Sequence, residues 1–286
     1  MSKQVVTPEL QQWIIEQARA GCRPEDVLAA MRASGWDDEV AVRGLEDTLS
    51  QFLAQRANGA DPAALPEPLP VPEPNLDGSP ACVYAGDREV QVLLTLHHPR
   101  IVLFGGLLSD DECDALIAAA RPRLSRSETV MNDTGGSEIH ASRTSNGMFF
   151  GRGENPLCER IEQRIATLLR WPLTHGEGLQ VLHYTAGAEY KPHYDYFDTA
   201  QPGASAVLSR GGQRVGTLVM YLNTPARGGA TVFPDVGMEI APTRGHAVFF
   251  SYDRPHPASR TLHGGSPVIE GEKWVATKWL REGEFA

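Results

Sequence analysis

The chain has 286 residues, 41% of them hydrophobic and 22% charged, a balance that suits one or two globular domains with cores large enough to need no staples. A formal net charge of -10 argues against nucleic acid or an anionic membrane as partner. No apolar run approaches the roughly 20 residues of a membrane span, and the opening MSKQVVTPELQQW lacks the apolar core of a signal peptide. Cys22, Cys82, Cys113 and Cys158 are scattered and form no C-x-x-C pair, which argues against a disulfide framework or thiolate zinc site and makes the cytoplasm the expected compartment.

In chain order, residues 1–57 read as three short amphipathic helices. Thr7 caps the first, which starts on Pro8; the second runs from Pro24 to a stop at Gly35. The third, DDEVAVRGLEDTLSQFLAQ, offers Val40, Val42, Leu45, Leu49 and Leu53 for one face, and the three make a small bundle. Within it, SGWDDEVAVRGL resembles the second loop and third helix of ubiquitin-associated (UBA-like) domains, which implies a docking module; a plain helical docking bundle fits as well. Residues 58–80 carry prolines at 62, 66, 68, 70, 72 and 74 and are expected to be an extended linker.

Residues 81–286 change character. REVQVLLTL and PRIVLFGGLL read as strands, and SDDECDALIAAARPRL as a helix with a capping box from Ser109 to Glu112. NPLCERIEQRIATLLRW is a second helix. Then come GLQVLHYT, RVGTLVMYLN, ATVFP, GMEIAP, GHAVFFSY and KWVATKWL, short β-rich runs punctuated by Gly, Pro and Asn. The expected class is α+β: an antiparallel sandwich or jelly roll backed by helices, preceded by the small all-α bundle.

The chemistry gathers around YKPHYDYFD. His193 and Asp195 are one residue apart, so on a strand both side chains leave the same face. A bare H-x-D is more often a polar pair at a strand end, but it also supplies two-thirds of the 2-His-1-carboxylate triad of non-haem Fe(II) oxygenases. The third ligand must come from a distant strand, and His256 and His263 are both candidates. If the metal chelates 2-oxoglutarate, the distal carboxylate needs a buried cation. Ten residues beyond His263 lies Lys273, whereas the same offset from His256 reaches Ser266, which favours His263.

LQVLHYTAGAEYKPHYDYFD, GTLVMYLN, GGATVFPDVG and TLHGGSPVIEGEKWVATKWL together resemble the catalytic domain of the prolyl 4-hydroxylases, from about Pro99 to Phe285. The resemblance implies a double-stranded β-helix (jelly-roll) core and a dioxygenase dependent on Fe(II), 2-oxoglutarate and O₂, with ascorbate as reductant. By position it implies iron ligands at His193, Asp195 and His263, and Lys273 as partner of the far carboxylate of 2-oxoglutarate. Tyr184 would contact that carboxylate, and Thr231 matches a pocket position one strand over. Trp279 would wall the pocket. SRTSNGMFF resembles the loop that covers a bound peptide, which makes Arg143 a substrate residue, and Tyr196 would join a proline-binding wall. Related halogenases carry a small residue in place of the carboxylate ligand; Asp195 is present, so hydroxylation is implied. His183 and His256 are expected outside the site, as a packed and a loop histidine.

The implied reaction is oxidative decarboxylation coupled to hydroxylation, releasing succinate and CO₂. The expected substrate is a prolyl residue in a peptide or protein, because a free metabolite needs no docking bundle. The rivals are hydroxylation of a free amino acid or small metabolite, and an inactive binding protein acting through the bundle. One further expectation is that the proline-rich linker could occupy the groove of its own chain or of another copy.

Overall fold

Two units divide the chain, Met1–Leu65 and Pro66–Ala286. The computed structural model describes residues 6, 8–19, 22–57, 65–126, 129–130, 137–138, 144–199 and 201–286. The first unit holds three helices, α1 (Pro8–Arg19), α2 (Pro24–Ala33) and α3 (Asp38–Ala57). Its core is Ile14, Val27, Met31, Ala41 and Leu45, with Trp13, Trp36 and Leu49 packed against it. On α3 the inward stripe therefore starts at Ala41, one residue from the expected Val40 and Val42, which are only half-buried. Ala41, Leu45 and Leu49 repeat every four residues, the spacing of one helical face. The side chain of Leu53 lies outside the described residues.

The expected linker boundary at residue 80 needs correcting. From Pro66 the chain belongs to the second unit. The Leu69 N–H donates to Asp253 O at 2.6 Å and the Glu73 N–H to Leu169 O at 3.0 Å. The Glu73 carboxylate pairs with Arg100. Pro72 and Pro74 are buried. Pro72 sits where Gly216 has no side chain: a Cβ there would lie 2.7 Å from Pro72 Cγ. A polyproline-type segment makes no internal hydrogen bonds, so its backbone groups are free to pair with loop ends while its rings lie on a sheet. Residues 58–64 lie outside the described ones.

The second unit opens with β1 (Cys82–Tyr84), β2 (Glu89–Leu96) and β3 (Arg100–Gly105), then α4 (Asp110–Ala120), β4 (Ser125–Arg126), β5 (Thr129–Val130), β6 (Ser137–Glu138) and β7 (Asn146–Phe150). Next come α5 (Pro156–Leu169), β8 (Leu179–Tyr184), β9 (Tyr190–His193), α6 (Ala204–Leu208) and β10 (Arg214–Tyr221). The chain ends with β11 (Arg227–Gly228), β12 (Thr231–Phe233), β13 (Met238–Ile240), β14 (Ala247–Ser251), β15 (His263–Gly265), β16 (Val268–Glu270) and β17 (Lys273–Arg281). The capping box on α4 forms with both of its bonds, and Asn155 caps α5 ahead of Pro156. Among the described residues no helix is long and apolar enough to cross a membrane.

A nine-stranded sheet runs in the order β1-β2-β3-β14-β10-β17-β8-β7-β4, and a four-stranded sheet in the order β13-β12-β15-β9. The strand pairings in both are antiparallel. This is the jelly-roll core. β17 shows why it forms: all nine of its residues are buried, but they serve two faces in alternation. Trp274, Ala276 and Leu280 join the core beneath α4 and α5 with Leu116, Ile161 and Phe249. Val275 joins the second core, between the sheets, with Phe233 and Phe250. Lys273, Thr277 and Trp279 share that second face and line a cavity there.

Candidate active site

β9 and β15 are neighbours, and their register sets His193 directly opposite His263. Their ring centroids are 4.4 Å apart. The approach needs a residue without a side chain: a Cβ on Gly264 would lie 2.8 Å from Tyr190 O of β9. β9 ends at His193, and Asp195 follows in the bend beyond it. Asp195 Oδ1 lies 3.4 Å from His193 Nε2, and Oδ2 lies 3.4 Å from His263 Nε2. One ligand atom from each of the three falls within 4.8 Å of the others.

Backbone contacts fix which nitrogen each histidine presents. His193 Nδ1 is 2.9 Å from Lys191 O, and His263 Nδ1 is 3.0 Å from Thr261 O. A carbonyl only accepts, so each Nδ1 carries a proton and Nε2 is the nitrogen each ring turns toward Asp195. Burial pushes the His263 imidazole down to about 4, so it is neutral at physiological pH. Burial works against the Asp195 carboxylate, but the imidazoles of His263 and His193 overcome it and hold the group far below the usual carboxylate range. The Thr217 hydroxyl donates to Asp195 Oδ2 at 2.8 Å, and the Tyr252 hydroxyl lies 2.9 Å from Thr217 Oγ1. Two imidazoles and one carboxylate converging on one point are the donor set of a facial-triad Fe(II) site, and the residues fit it.

Lys273 lines the same cavity. It starts β17 directly opposite Tyr184 on β8. It is 4% exposed, and burial pushes its ammonium down to about 8. Its Nζ lies 5.5 Å from the Tyr184 ring centroid and 6.0 Å from that of Tyr221. Among the described residues no carboxylate pairs with it. A buried cation facing a cavity with no counter-ion is the complement of an anionic ligand. Thr231 lines the cavity, and its Oγ1 accepts from the Tyr221 hydroxyl at 2.8 Å. Its own proton is thereby left to donate.

The structure thus brings His193, Asp195, His263, Lys273, Tyr184, Thr231 and Trp279 to one cavity. Tyr196 does not join them. Asp195 faces the cavity, and Tyr196 instead stacks on Tyr194, with centroids 4.8 Å apart. Arg143 lies outside the described residues. His183 stacks on Trp274 at 4.2 Å and meets Glu272 at 2.7 Å, away from the cavity. His256 Nδ1 accepts from the Ala258 N–H, capping a helical turn. Sequence reasoning missed Thr217 and Tyr190. The Tyr190 ring stacks on His193 at 3.7 Å, and its place in YKPHYD, three residues before a ligand, was the available signal.

Behind Asp195 sits a second buried cluster. Glu177 receives Arg214 Nε at 2.7 Å and Arg281 Nε at 2.7 Å. The Arg214 guanidinium also lies 3.9 Å from the centroid of the Trp279 ring and 3.5 Å from Asp195 O. Gln213 clasps the backbone of Phe197 through both ends of its amide, at 2.7 and 2.8 Å. Together these hold the bend that carries Asp195.

Residues 179–281 match the model of the 2OG-Fe(II) oxygenase superfamily. Probable prolyl 4-hydroxylase 3 of Arabidopsis thaliana is 39% identical over 221 residues, covering 70% of this chain and 75% of its own. Prolyl 4-hydroxylase 2 of the same plant is 39% identical over 212 residues, covering 65% of this chain and 69% of its own. The crystal structure of a viral collagen prolyl hydroxylase from Paramecium Bursaria Chlorella virus-1, in complex with 2-oxoglutarate, is 31% identical. It aligns over 63% of this chain and 95% of its own, with a TM-score of 0.48. The chain belongs to the prolyl 4-hydroxylase family of 2-oxoglutarate- and Fe(II)-dependent dioxygenases.

Proposed function

We propose that the protein hydroxylates a prolyl residue within a peptide or protein, with Fe(II) held by His193, Asp195 and His263 and 2-oxoglutarate anchored by Lys273. One observation carries the reading: one cavity is lined by His193, Asp195 and His263 and by a buried lysine that no carboxylate among the described residues pairs with. When bound, Fe(II), 2-oxoglutarate and O₂ together supply oxidative decarboxylation coupled to insertion of oxygen into a C–H bond, with release of succinate and CO₂.

The chain's own residues supply orientation, charge and dryness. His193 and His263 are oriented by the Lys191 and Thr261 carbonyls so that Nε2 is the nitrogen each would offer the metal. Thr217 occupies Asp195 Oδ2 and leaves Oδ1 the freer oxygen for a metal. The desolvation of Lys273 is already incurred on folding, so an arriving carboxylate meets a cation with little water to shed. Tyr184 and Thr231 flank the place of that carboxylate, Thr231 with its proton free to donate. Trp279 walls the cavity and keeps water from the reacting atoms.

The family's names support the prolyl substrate. The three-helix unit, part of which resembles ubiquitin-associated domains, would dock a macromolecular partner. The four free cysteines support a reducing compartment, hence the cytoplasm. The test is succinate formation from 2-oxoglutarate after anaerobic loading with Fe(II) and exposure to O₂, with a panel of proline-containing peptides and His263→Ala as the blank. Peptide-stimulated succinate, with a peptide product one oxygen heavier at proline, is the expected result. Turnover that no peptide stimulates would move the substrate to a free amino acid or small metabolite. A chain that binds iron without turnover above the blank would be a binding protein acting through its helical unit.

A further inference from the structure

Three tyrosines stand in line behind Asp195, and none of them lines the cavity. Tyr252 is 2% exposed and reaches Asp195 through Thr217 by hydrogen bonds of 2.9 and 2.8 Å. Thr217 gives its only proton to Asp195, so Tyr252 is the donor in the bond they share. The Tyr252 ring lies edge-on to Tyr196 with centroids 6.1 Å apart, and Tyr196 stacks on Tyr194 at 4.8 Å. Tyr194 and Tyr196 are only half-buried. The row therefore runs from an enclosed phenol two hydrogen bonds from a metal-ligand carboxylate to rings that meet solvent.

We infer that Tyr252, Tyr196 and Tyr194 form an electron relay that drains oxidising equivalents from the active site when 2-oxoglutarate is decarboxylated with no substrate C–H bond in place. The inference rests on the oxygenase reading. Decarboxylation without a target leaves the site two electrons short and one oxygen atom over. Two electrons, passed inward one at a time from Tyr194 through Tyr196 and Tyr252, with two protons from water at the cavity mouth, convert that atom to water. Each time, Tyr194 gives its phenolic proton to solvent. A one-electron reductant of the enediol class returns an electron and a proton to it at the surface, and the cycle balances.

The competing oxidisable rings are in the cavity itself, at Trp279, Tyr190 and Tyr184, the last with the Lys273 ammonium 5.5 Å from its centroid. The Arg214 guanidinium 3.9 Å from the Trp279 centroid makes a positive hole on that indole costly. Phe149, the ring beyond Trp279 at 6.4 Å, is too hard to oxidise to carry charge onward. In the tyrosine row Tyr252 also feels the Arg214 guanidinium, but the Asp195 carboxylate outweighs it there, and both rings beyond it are oxidisable phenols.

The test uses the full chain with Fe(II), 2-oxoglutarate and O₂, without peptide or reductant. Succinate, a peptide map of added oxygen and freeze-quenched electron paramagnetic resonance are read from the same reactions. The expected map places oxidation on Tyr194 and Tyr196, with a tyrosyl radical signal that narrows in ring-deuterated protein. Tyr196→Phe keeps the ring and its packing but breaks the relay. It should lower oxidation of Tyr194 severalfold, shift it to Tyr252, Tyr190 and Trp279, and shorten survival in uncoupled turnovers by a similar factor. Tyr194→Phe should leave peptide-coupled turnover unchanged and move the outermost mark to Tyr196. Succinate that accumulates while Tyr194 and Tyr196 stay unmarked, or an unchanged map in Tyr196→Phe, would overturn the relay. Absence of succinate would instead overturn the oxygenase reading beneath it.

Discussion

Lys273 carries a charge that folding buries and that no acid among the described residues neutralises, so its replacement should separate stability from function. Burial lowers the ammonium from 10.5 to about 8. Keeping it charged inside the fold at pH 7 therefore costs about 3 kcal/mol. Lys273→Met keeps the length of the stem and removes the charge, and such exchanges of buried ions for apolar groups commonly stabilise. For a unit of this size the metal-free midpoint should rise by about 5 to 10 °C at pH 7, while 2-oxoglutarate binding is lost. The sign with pH is fixed. The folded value lies below the unfolded one, so between about pH 8 and 10.5 the unfolded wild type binds more protons and the wild type gains stability as pH rises. The gap between wild type and Lys273→Met should close across that window. Near-ultraviolet circular dichroism melts at several pH values measure it, and calorimetric titration with 2-oxoglutarate and a redox-inert divalent metal reads the functional arm. A mutant that melts at or below wild type at pH 7, or a gap that persists at pH 10, would refute the picture of an uncompensated buried cation.

In steady-state assays the KM for 2-oxoglutarate should be flat below about pH 8 and climb above it, by up to about tenfold per pH unit, as Lys273 loses its proton. His263→Ala should weaken Fe(II) binding more than about 100-fold, since losing even an outer-shell partner costs about 10–100-fold; anaerobic metal titration reads it. Thr217→Val removes the donor to Asp195 at constant volume and should cost about 10–100-fold in metal affinity, with an unchanged circular dichroism spectrum. Gly216→Ala drives a Cβ against Pro72 and should destabilise the second unit by about 1–3 kcal/mol in a urea titration.

The residues proposed as ligands were legible because the chemistry they suggest is carried by spacing. His193 and Asp195 stand two apart, and Lys273 stands ten beyond His263. What spacing could not show is register. Only the pairing of β9 with β15 sets His193 opposite His263, and only that of β17 with β8 sets Lys273 opposite Tyr184. Thr217 was hidden because a threonine inside RVGTLVMYLN reads as strand filler; its role exists only once β10 passes behind Asp195. The Glu177–Arg214–Arg281 cluster joins residues 37 and 104 positions apart, a distance at which charge patterning is silent. Tyr196 was misplaced because β9 stops at His193, so the bend, not strand alternation, decides where its ring points. The proline-rich stretch read as a spacer because composition reports that a segment cannot build a core, not that it can lie on one already built.

The placement of β17 has a consequence for how the protein is made. It is the last strand in chain order, yet it lies between β10 and β8 in the middle of the large sheet. During synthesis those two strands emerge with facing edges and no partner between them. Until residue 281 has left the ribosome, the sheet lacks the strand that joins its two halves. Closure then joins strands far apart in the chain, the slow and aggregation-prone step for such topologies. Because β17 also carries Lys273, the act that seals the fold is the one that brings the proposed anion partner to its cavity, so on this reading folding and 2-oxoglutarate binding are completed together.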